Sequence, residues 1–160
     1  QRLLQVALEL IWCHSYGAVS VDQICESAGV KKGSFYYFFR SKSDLAVAAY
    51  EEHWRQNRPR YDAVFSPQSP PLKRIEDYCR LIYECQKEKK EETGSVLGCP
   101  YASVGSELCT QDDRIRQKTQ EIFDRTCKYF ENALRDAAAF DAITTYAFPA
   151  GRLEKLGGEP

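Results

Sequence analysis

The side chains best suited to a chemical task in this sequence are basic and phenolic, and they lie between Val30 and Ser43. That window holds no acidic residue and has four cations, Lys31, Lys32, Arg40 and Lys42. Tyr36 and Tyr37 lie in the same window, at positions where a fold would favour apolar or charged residues. Ammonium groups neutralise phosphates, and tyrosine hydroxyls are frequent phosphate ligands. The window therefore favours contact with a phosphate backbone.

Two short helices joined by a tight turn are predicted to position this window. Ser20 is a suitable N-cap for the first helix, and Gln23 three residues later completes a capping box. Apolar residues then recur at helical spacing, at Val21, Ile24, Cys25 and Ala28. Gly29 ends the helix, because glycine enters the left-handed conformation after a helix without steric cost.

The second helix is predicted to begin within Lys31 to Ser34, and its apolar bulk comes from Phe35, Phe38 and Phe39. Helix, glycine turn and helix at this spacing form the helix-turn-helix pattern, whose second helix enters the DNA major groove. Lys32, Gly33 and Ser34 open that helix, where side chains reach base edges, and lysine can donate to guanine. A hairpin that only packs is the alternative, but it leaves the basic window unexplained.

The segment from Gly17 to Leu45, GAVSVDQICESAGVKKGSFYYFFRSKSDL, resembles the tetracycline-repressor (TetR) family of bacterial transcription regulators. In that family A-G-V ends the second helix, K-G-[ST]-[FL]-Y forms the recognition helix, and F-x-S-K-x-x-L leads into a fourth helix. All three pieces occur here in the same order and spacing. The resemblance implies contact with a double-stranded DNA operator through Ser20, Lys31, Lys32, Gly33, Ser34, Tyr36, Tyr37 and Lys42.

The same resemblance implies an overall organisation. Residues 1–45 would form a three-helix DNA-binding head, and residues 46–160 a helical effector-binding and dimerisation domain. A helix over about residues 41–57 would link the two. The family implies a cytoplasmic homodimer that reads a palindromic operator, most often as a repressor, and responds to a small-molecule effector of unknown identity. The distribution of charge agrees with a DNA-binding N-terminal part. Residues 1–60 carry 8 Lys or Arg and 6 Asp or Glu, whereas residues 61–160 carry 14 Lys or Arg and 17 Asp or Glu.

The other segments also favour helices, so the predicted fold class is all-α. Helix 1 is expected over residues 1–14, and the helix after Ser41 should end at Arg58-Pro59-Arg60. A helix from Leu72 to Lys90 would turn Leu72, Ile75, Cys79, Ile82 and Tyr83 inward. Further helices are expected over residues 101–108 and 112–137, the latter with Ile115, Ile122, Phe123, Thr126, Phe130 and Ala133 inward. The helical pattern loses phase near residues 137–140, where we expect residues of the native chain to be missing from the sequence, and a partly helical piece over residues 141–156 completes the prediction.

An effector site between such helices would be lined by aromatic groups with a few polar ones. The candidates are Tyr78, Tyr83, Tyr101, Phe123 and Phe130. Ordinary core packing is the alternative for each. The dimer face is expected from Ile115 to Ala137 together with the tail after residue 141.

Cys99 is a further effector candidate. Gly98 and Cys99, followed by Glu107, resemble a G-C-x-x-x-x-x-x-x-E segment of one TetR subgroup, some members of which sense electrophiles or oxidants through this cysteine. A thiol at the start of a helix is expected to have a lowered pKa and a larger thiolate fraction. The alternative is a small residue buried in a tight turn.

Other classes of function lack their motifs. The sequence has no nucleophile elbow, Walker loop, H-E-x-x-H or dinucleotide glycine motif, so neither an enzyme nor a cofactor is expected. Its seven cysteines show no C-x-x-C, and His14 and His53 are isolated, so no metal site is expected. No run of 18 apolar residues predicts a membrane span, and no secretion signal is visible. The absence of methionine indicates that the sequence is part of a longer chain. An enzyme or a purely structural helical bundle is the remaining alternative.

Overall fold

The computed structural model describes residues 1–108 and 110–139, which form seven α-helices with no strand among them. The helices are Arg2–His14 (α1), Val21–Ala28 (α2), Lys32–Phe38 (α3), Lys42–Val64 (α4), Pro71–Thr93 (α5), Pro100–Leu108 (α6) and Asp113–Ala139 (α7). The prediction of an all-α fold is confirmed. None of the helices in this part of the chain combines the length and apolar character that crossing a membrane requires.

The helix-turn-helix unit packs on α1 and the start of α4. Phe35 of α3 is fully buried in that core, together with Ile11 of α1, Ile24 of α2 and Leu45 of α4. Phe35 and Ile24 are among the largest fully buried side chains, so their removal from water holds α3 and α2 in place.

The same core continues from the N-terminal helices into the second half of the chain. Tyr50 and Trp54 of α4 are buried in one cluster with Tyr101 of α6 and Ile122 of α7. Gly105 permits the close approach of α6 to α7, because a Cβ there would lie 2.8 Å from Cγ2 of Thr119. The head is therefore packed directly against α6 and α7.

Helix α4 is longer than predicted. The expectation that Arg58-Pro59-Arg60 ends it was wrong, since α4 continues through Pro59 to Val64. Proline has no backbone N–H, so the helix loses one hydrogen bond at Pro59. Packing of the residues that follow Pro59 compensates for that loss. The ring of Tyr61 stacks on Trp54 at 5.3 Å between centroids, and Phe65 is buried directly after the helix.

The inward face of α5 differs from the predicted one. Cys79, Ile82 and Tyr83 are exposed, whereas Arg74 is buried and Tyr78 is half-buried. The helix is thus rotated by about one residue step, ~100°, from the apolar stripe that the sequence suggested.

A buried arginine, Arg74, lies on the inward face of α5. The guanidinium of Arg74 donates to the carbonyl oxygens of Ser69 and Pro67 at 2.8 and 3.1 Å. It also pairs with the carboxylate of Asp136 on α7 at 2.6 Å. Because its charge and its N–H groups are satisfied, a residue that would normally face water is tolerated inside.

Helix α7 also departs from the predicted pattern at two places. Ile115, Ile122 and Ala133 are buried as expected, but Phe123 is 37% exposed. The helix continues to Ala139, two residues beyond its predicted end at residue 137. The predicted helical piece over residues 141–156, and the proposed dimerisation tail, lie outside the described residues.

Candidate nucleic-acid interface

The turn between α2 and α3 is built by local hydrogen bonds that the sequence predicted. The capping box is complete, since the amide of Gln23 donates to Oγ of Ser20 at 3.2 Å and the amide of Ser20 donates to Oε1 of Gln23 at 2.7 Å. Gly29 has φ 69°, in the left-handed region. The amide of Val30 donates to the carbonyl of Cys25 at 2.9 Å, which closes a Schellman motif.

Helix α3 places one aromatic ring in the core and three in solvent. Phe35 is fully buried, while the exposed fractions of Tyr36, Tyr37 and Phe38 are 53%, 82% and 71%. The expectation that Phe38 supplies core bulk was wrong, because its side chain lies at the last residue of α3 and is exposed to solvent. Three exposed aromatic rings on a helix of 7 residues are typical of a binding surface rather than of a solvated face.

The polar residues that open α3 lie on the same exposed surface. Lys31, Lys32, Gly33 and Ser34 are all exposed. The ammonium of Lys32 pairs with the carboxylate of Asp22 on α2 at 2.7 Å, and this hydrogen bond raises the pKa of Lys32. A base that bonds to Lys32 must therefore compete with Asp22.

Lys42 lies behind this surface rather than on it. Its ammonium donates to the carbonyl oxygens of Tyr16 and Val19 at 2.7 and 2.8 Å, and it lies 4.0 Å from the centre of the Tyr16 ring. Partial burial lowers the pKa of Lys42. In the structure, Lys42 therefore holds the loop between α1 and α2. A phosphate contact through the third N–H of its ammonium group stays a prediction.

Glu107 of α6 holds the same loop from the other half of the chain. Its carboxylate accepts hydrogen bonds from the backbone amides of Tyr16 and Gly17 at 2.9 and 2.7 Å. Sequence reasoning had noted Glu107 only as part of the resemblance around Cys99. Its partners lie about 90 residues away in the chain, so no local pattern could have identified them.

Comparison with known proteins agrees with this geometry. Residues 3–49 match the family model described as bacterial regulatory proteins, tetR family. The chain is 30% identical to the transcriptional regulator AcuR of Cereibacter sphaeroides over 138 residues, which are 83% of this chain and 61% of that protein. A crystal structure described as regulatory protein TetR from Rhodobacter sphaeroides shares 27% identity with a TM-score of 0.76, over 87% of this chain and 72% of that one. The chain belongs to the TetR family.

A further relative of this TetR-family chain is the transcriptional repressor NemR of Escherichia coli. It is 26% identical over 116 residues, which are 72% of this chain and 57% of NemR. A crystal structure of the reduced form of NemR shares the fold with a TM-score of 0.72 at 22% identity, covering 86% of this chain and 70% of that one. This chain spans less than two thirds of the length of both AcuR and NemR.

The effector candidates of the TetR-family chain divide into buried or half-buried side chains and exposed ones. Tyr78 and Phe130 meet edge to face at 4.9 Å between ring centres, next to Tyr61 and Phe65. Tyr101 is buried on α6, with its hydroxyl 2.8 Å from Nδ1 of His53. Tyr83 and Phe123 lie on the surface, 65% and 37% exposed.

Cys99 lies directly before α6, as the sequence predicted, and it is exposed. The segment before it is held on two sides. The amide and carbonyl of Gly98 both bond to the side-chain amide of Gln86 at 2.9 Å, and Nε1 of Trp12 donates to the carbonyl of Leu97 at 3.3 Å. The alternative of a small buried residue does not fit the exposed position of Cys99.

The described residues also show what the site lacks. Among residues 1–108 and 110–139, no group of three or more His, Cys, Asp or Glu side chains is arranged to hold a metal ion. His53 is half-buried, and burial lowers its pKa. Its Nδ1 atom forms a hydrogen bond with the hydroxyl of Tyr101.

Proposed function

We propose that this chain is a ligand-responsive transcription regulator that binds a palindromic DNA operator as a homodimer and releases it when a small molecule binds. The observation that carries the DNA-binding part is the exposed surface of α3. It combines lysines, tyrosines and an open glycine on a helix-turn-helix unit whose turn and core are formed by its own residues.

The proposed contacts divide into two kinds. Lys31, Tyr36, Tyr37 and the third N–H of Lys42 are assigned to phosphates, together with the hydroxyl of Ser20, whose oxygen already caps α2. Lys32, Gly33 and Ser34 are assigned to base edges, because they form the first turn of α3 and are exposed.

Lys32→Ala is expected to relax the preference for one guanine in each half-site, since a lysine donates to O6 and N7 of guanine. The free energy by which the protein discriminates against other bases at that position should fall by about 1–3 kcal/mol. Selection of bound duplexes from a random pool, followed by sequencing, measures it.

Lys31→Ala is the matched control for that substitution. It removes an equally exposed lysine assigned to a phosphate, so affinity should fall about uniformly across sequences and the salt slope should drop by roughly one unit. A consensus unchanged by Lys32→Ala would remove the assignment of base readout to that residue.

Coupling between effector and DNA is proposed to pass through α6. Its first turn is bonded to α4, since Tyr101 meets His53 and the hydroxyl of Tyr50 donates to the carbonyl of Pro100 at 3.3 Å. Its last turn is bonded to the α1–α2 loop through Glu107. A ligand that favours a different position of α6 would therefore change the orientation of the DNA-binding head.

The effector pocket is proposed next to this helix. Tyr78, Phe130, Tyr101 and Cys99 remain its candidate lining residues. Tyr83 and Phe123 keep that assignment only if further parts of the protein cover them, because both lie on the surface of the described residues. Their apolar area also suits the proposed dimer face, together with Leu134, which is 47% exposed.

A second candidate function is a thiol sensor of electrophiles that uses Cys99. The observation that favours it is an exposed thiol at the start of the helix that holds the head. The thiolate sulfur would add to the carbon–carbon double bond of an activated alkene: the new S–C bond replaces the π bond, and the neighbouring carbon takes a proton from water. The added group would shift α6. The relative NemR, whose structure is described in a reduced form, is consistent with such chemistry.

Brief treatment with a limiting amount of N-ethylmaleimide tests the sensor. Cys99 should be labelled before Cys79 and Cys127, which are also exposed but do not precede a helix. Mass spectrometry measures the labelling, and a gel shift measures DNA release, which Cys99→Ser should abolish. Equal labelling of the three thiols, or release that persists in Cys99→Ser, would leave Cys99 without a sensing role.

A further inference from the structure

Phe38, the last residue of α3, is a large apolar side chain that lies outside the core. Its ring is 71% exposed and meets the ring of Tyr37 edge to face, at 4.8 Å between centres. The neighbouring phenylalanines differ, since Phe35 is fully buried and Phe39 is half-buried against the core. A ring left in water adds little to stability, so packing within the described residues does not explain Phe38.

Phe38 shares a side of α3 with a residue that is assigned to a base edge. Ser34 lies four residues earlier, and residues four apart in a helix lie on the same face, about one turn or ~6 Å from each other. Both side chains are exposed. The whole helix is about 10 Å long, and the major groove is about 12 Å wide. Phe38 therefore faces the same groove as Ser34, next to a neighbouring base.

The chemistry of the phenyl ring restricts what Phe38 can recognise there. The ring has no hydrogen-bond donor or acceptor, so it cannot bond to a phosphate oxygen or to the polar atoms of a base edge. In the major groove the base pairs display donors, acceptors and one apolar substituent, which is the C5-methyl group of thymine. A phenylalanine side chain in this groove thus has one matching group on the bases.

We propose that Phe38 selects thymine in the operator, by packing its ring against the C5-methyl group of one thymine in each half-site. Phe38 is then a specificity-determining residue that adds an apolar contact to the polar readout assigned to Lys32 and Ser34. The edge-to-face contact with Tyr37 limits the positions that the ring takes. This contact rests on the proposed binding of DNA by α3, and it adds which base and which chemical group are recognised.

Replacement of thymine by deoxyuridine tests the contact, because it removes the methyl group and leaves every polar atom of the base pair in place. An operator selected by the unmodified chain is synthesised with deoxyuridine at one thymine position at a time, in both half-sites. At one position the affinity should fall by about tenfold or more, since burial of one methyl group corresponds to about a fourfold change in each half-site. Fluorescence anisotropy of the labelled duplex measures the affinity.

Substitutions at Phe38 show whether this residue makes the contact. Phe38→Ala should weaken binding to the thymine operator by a similar factor, and it should bind the thymine and deoxyuridine operators equally. Phe38→Leu keeps an apolar side chain, so it should retain a preference for thymine. Lys31→Ala is the matched control, because it removes a side chain assigned to a phosphate. It should weaken binding to both operators and leave the ratio of their affinities unchanged.

The possible results separate this contact from DNA binding itself. Loss of the thymine preference in Phe38→Ala, but not in Phe38→Leu or Lys31→Ala, is the expected result. Selective DNA binding without any position sensitive to deoxyuridine, or with a sensitivity that persists in Phe38→Ala, would overturn the contact and leave DNA binding by α3 in place. A preference lost equally in Lys31→Ala would also overturn it. No selective binding by the unmodified chain would overturn both the contact and the proposed function.

Discussion

Phe35→Ala is expected to lower the free energy of unfolding by about 3–5 kcal/mol, the range for removing a buried aromatic side chain. Phe35 is fully buried where α3 meets the core, and its ring contacts Tyr36 and Phe39 at 4.9 and 5.8 Å between centres. A loss of that size is a large part of the stability of a typical domain. Urea unfolding followed by circular dichroism measures it.

Phe38→Ala is the matched control, because it makes the same chemical change three residues later on the same helix. Phe38 is 71% exposed, so its removal should change stability by less than about 0.5 kcal/mol. Equal losses for the two substitutions would contradict the orientation of α3, and with it the surface assigned to DNA.

Gly33→Ala is expected to stabilise the protein while it weakens DNA binding by about tenfold or more. A Cβ at this position would meet no atom within 4 Å, and the residue lies inside α3. Alanine is favoured over glycine in a helix by about 0.5–1 kcal/mol, so nothing within the described residues explains the glycine. The close approach of the backbone to DNA that we propose would explain it.

Thermal unfolding and a gel shift on the same preparation separate these two effects. The expected outcome is a raised Tm together with lost affinity, a combination that general damage to the protein cannot produce. Unchanged DNA binding in Gly33→Ala would remove the first turn of α3 from the proposed interface.

Local interactions made the helix-turn-helix unit predictable from the sequence. The capping box of Ser20 and Gln23 and the left-handed Gly29 are satisfied within a few residues, so short patterns identify them. The resemblance at residues 17–45 then supplied the function class, which composition alone does not give.

Contacts between distant segments were not predictable in the same way. The α5 face was misjudged because a satisfied Arg74 is inside while Ile82 is outside, and hydrophobicity alone cannot anticipate a buried ion pair. The bonds of Glu107 and Lys42 to the α1–α2 loop likewise depend on tertiary structure. Phe38 is exposed because of the way α3 packs on the other helices. The sequence alone does not show which of Phe35, Phe38 and Phe39 will be buried.

In the proposed function, the exposed surface of α3 reads DNA in a dimer. Selection of duplexes from a random-sequence pool by the unmodified chain tests it most directly. The account predicts enrichment of an inverted repeat with half-sites about one helical turn, ~34–36 Å, apart, and loss of that enrichment in Gly33→Ala. Recovery of no enriched sequence, or of a single unrepeated site that Gly33→Ala still selects, would contradict it.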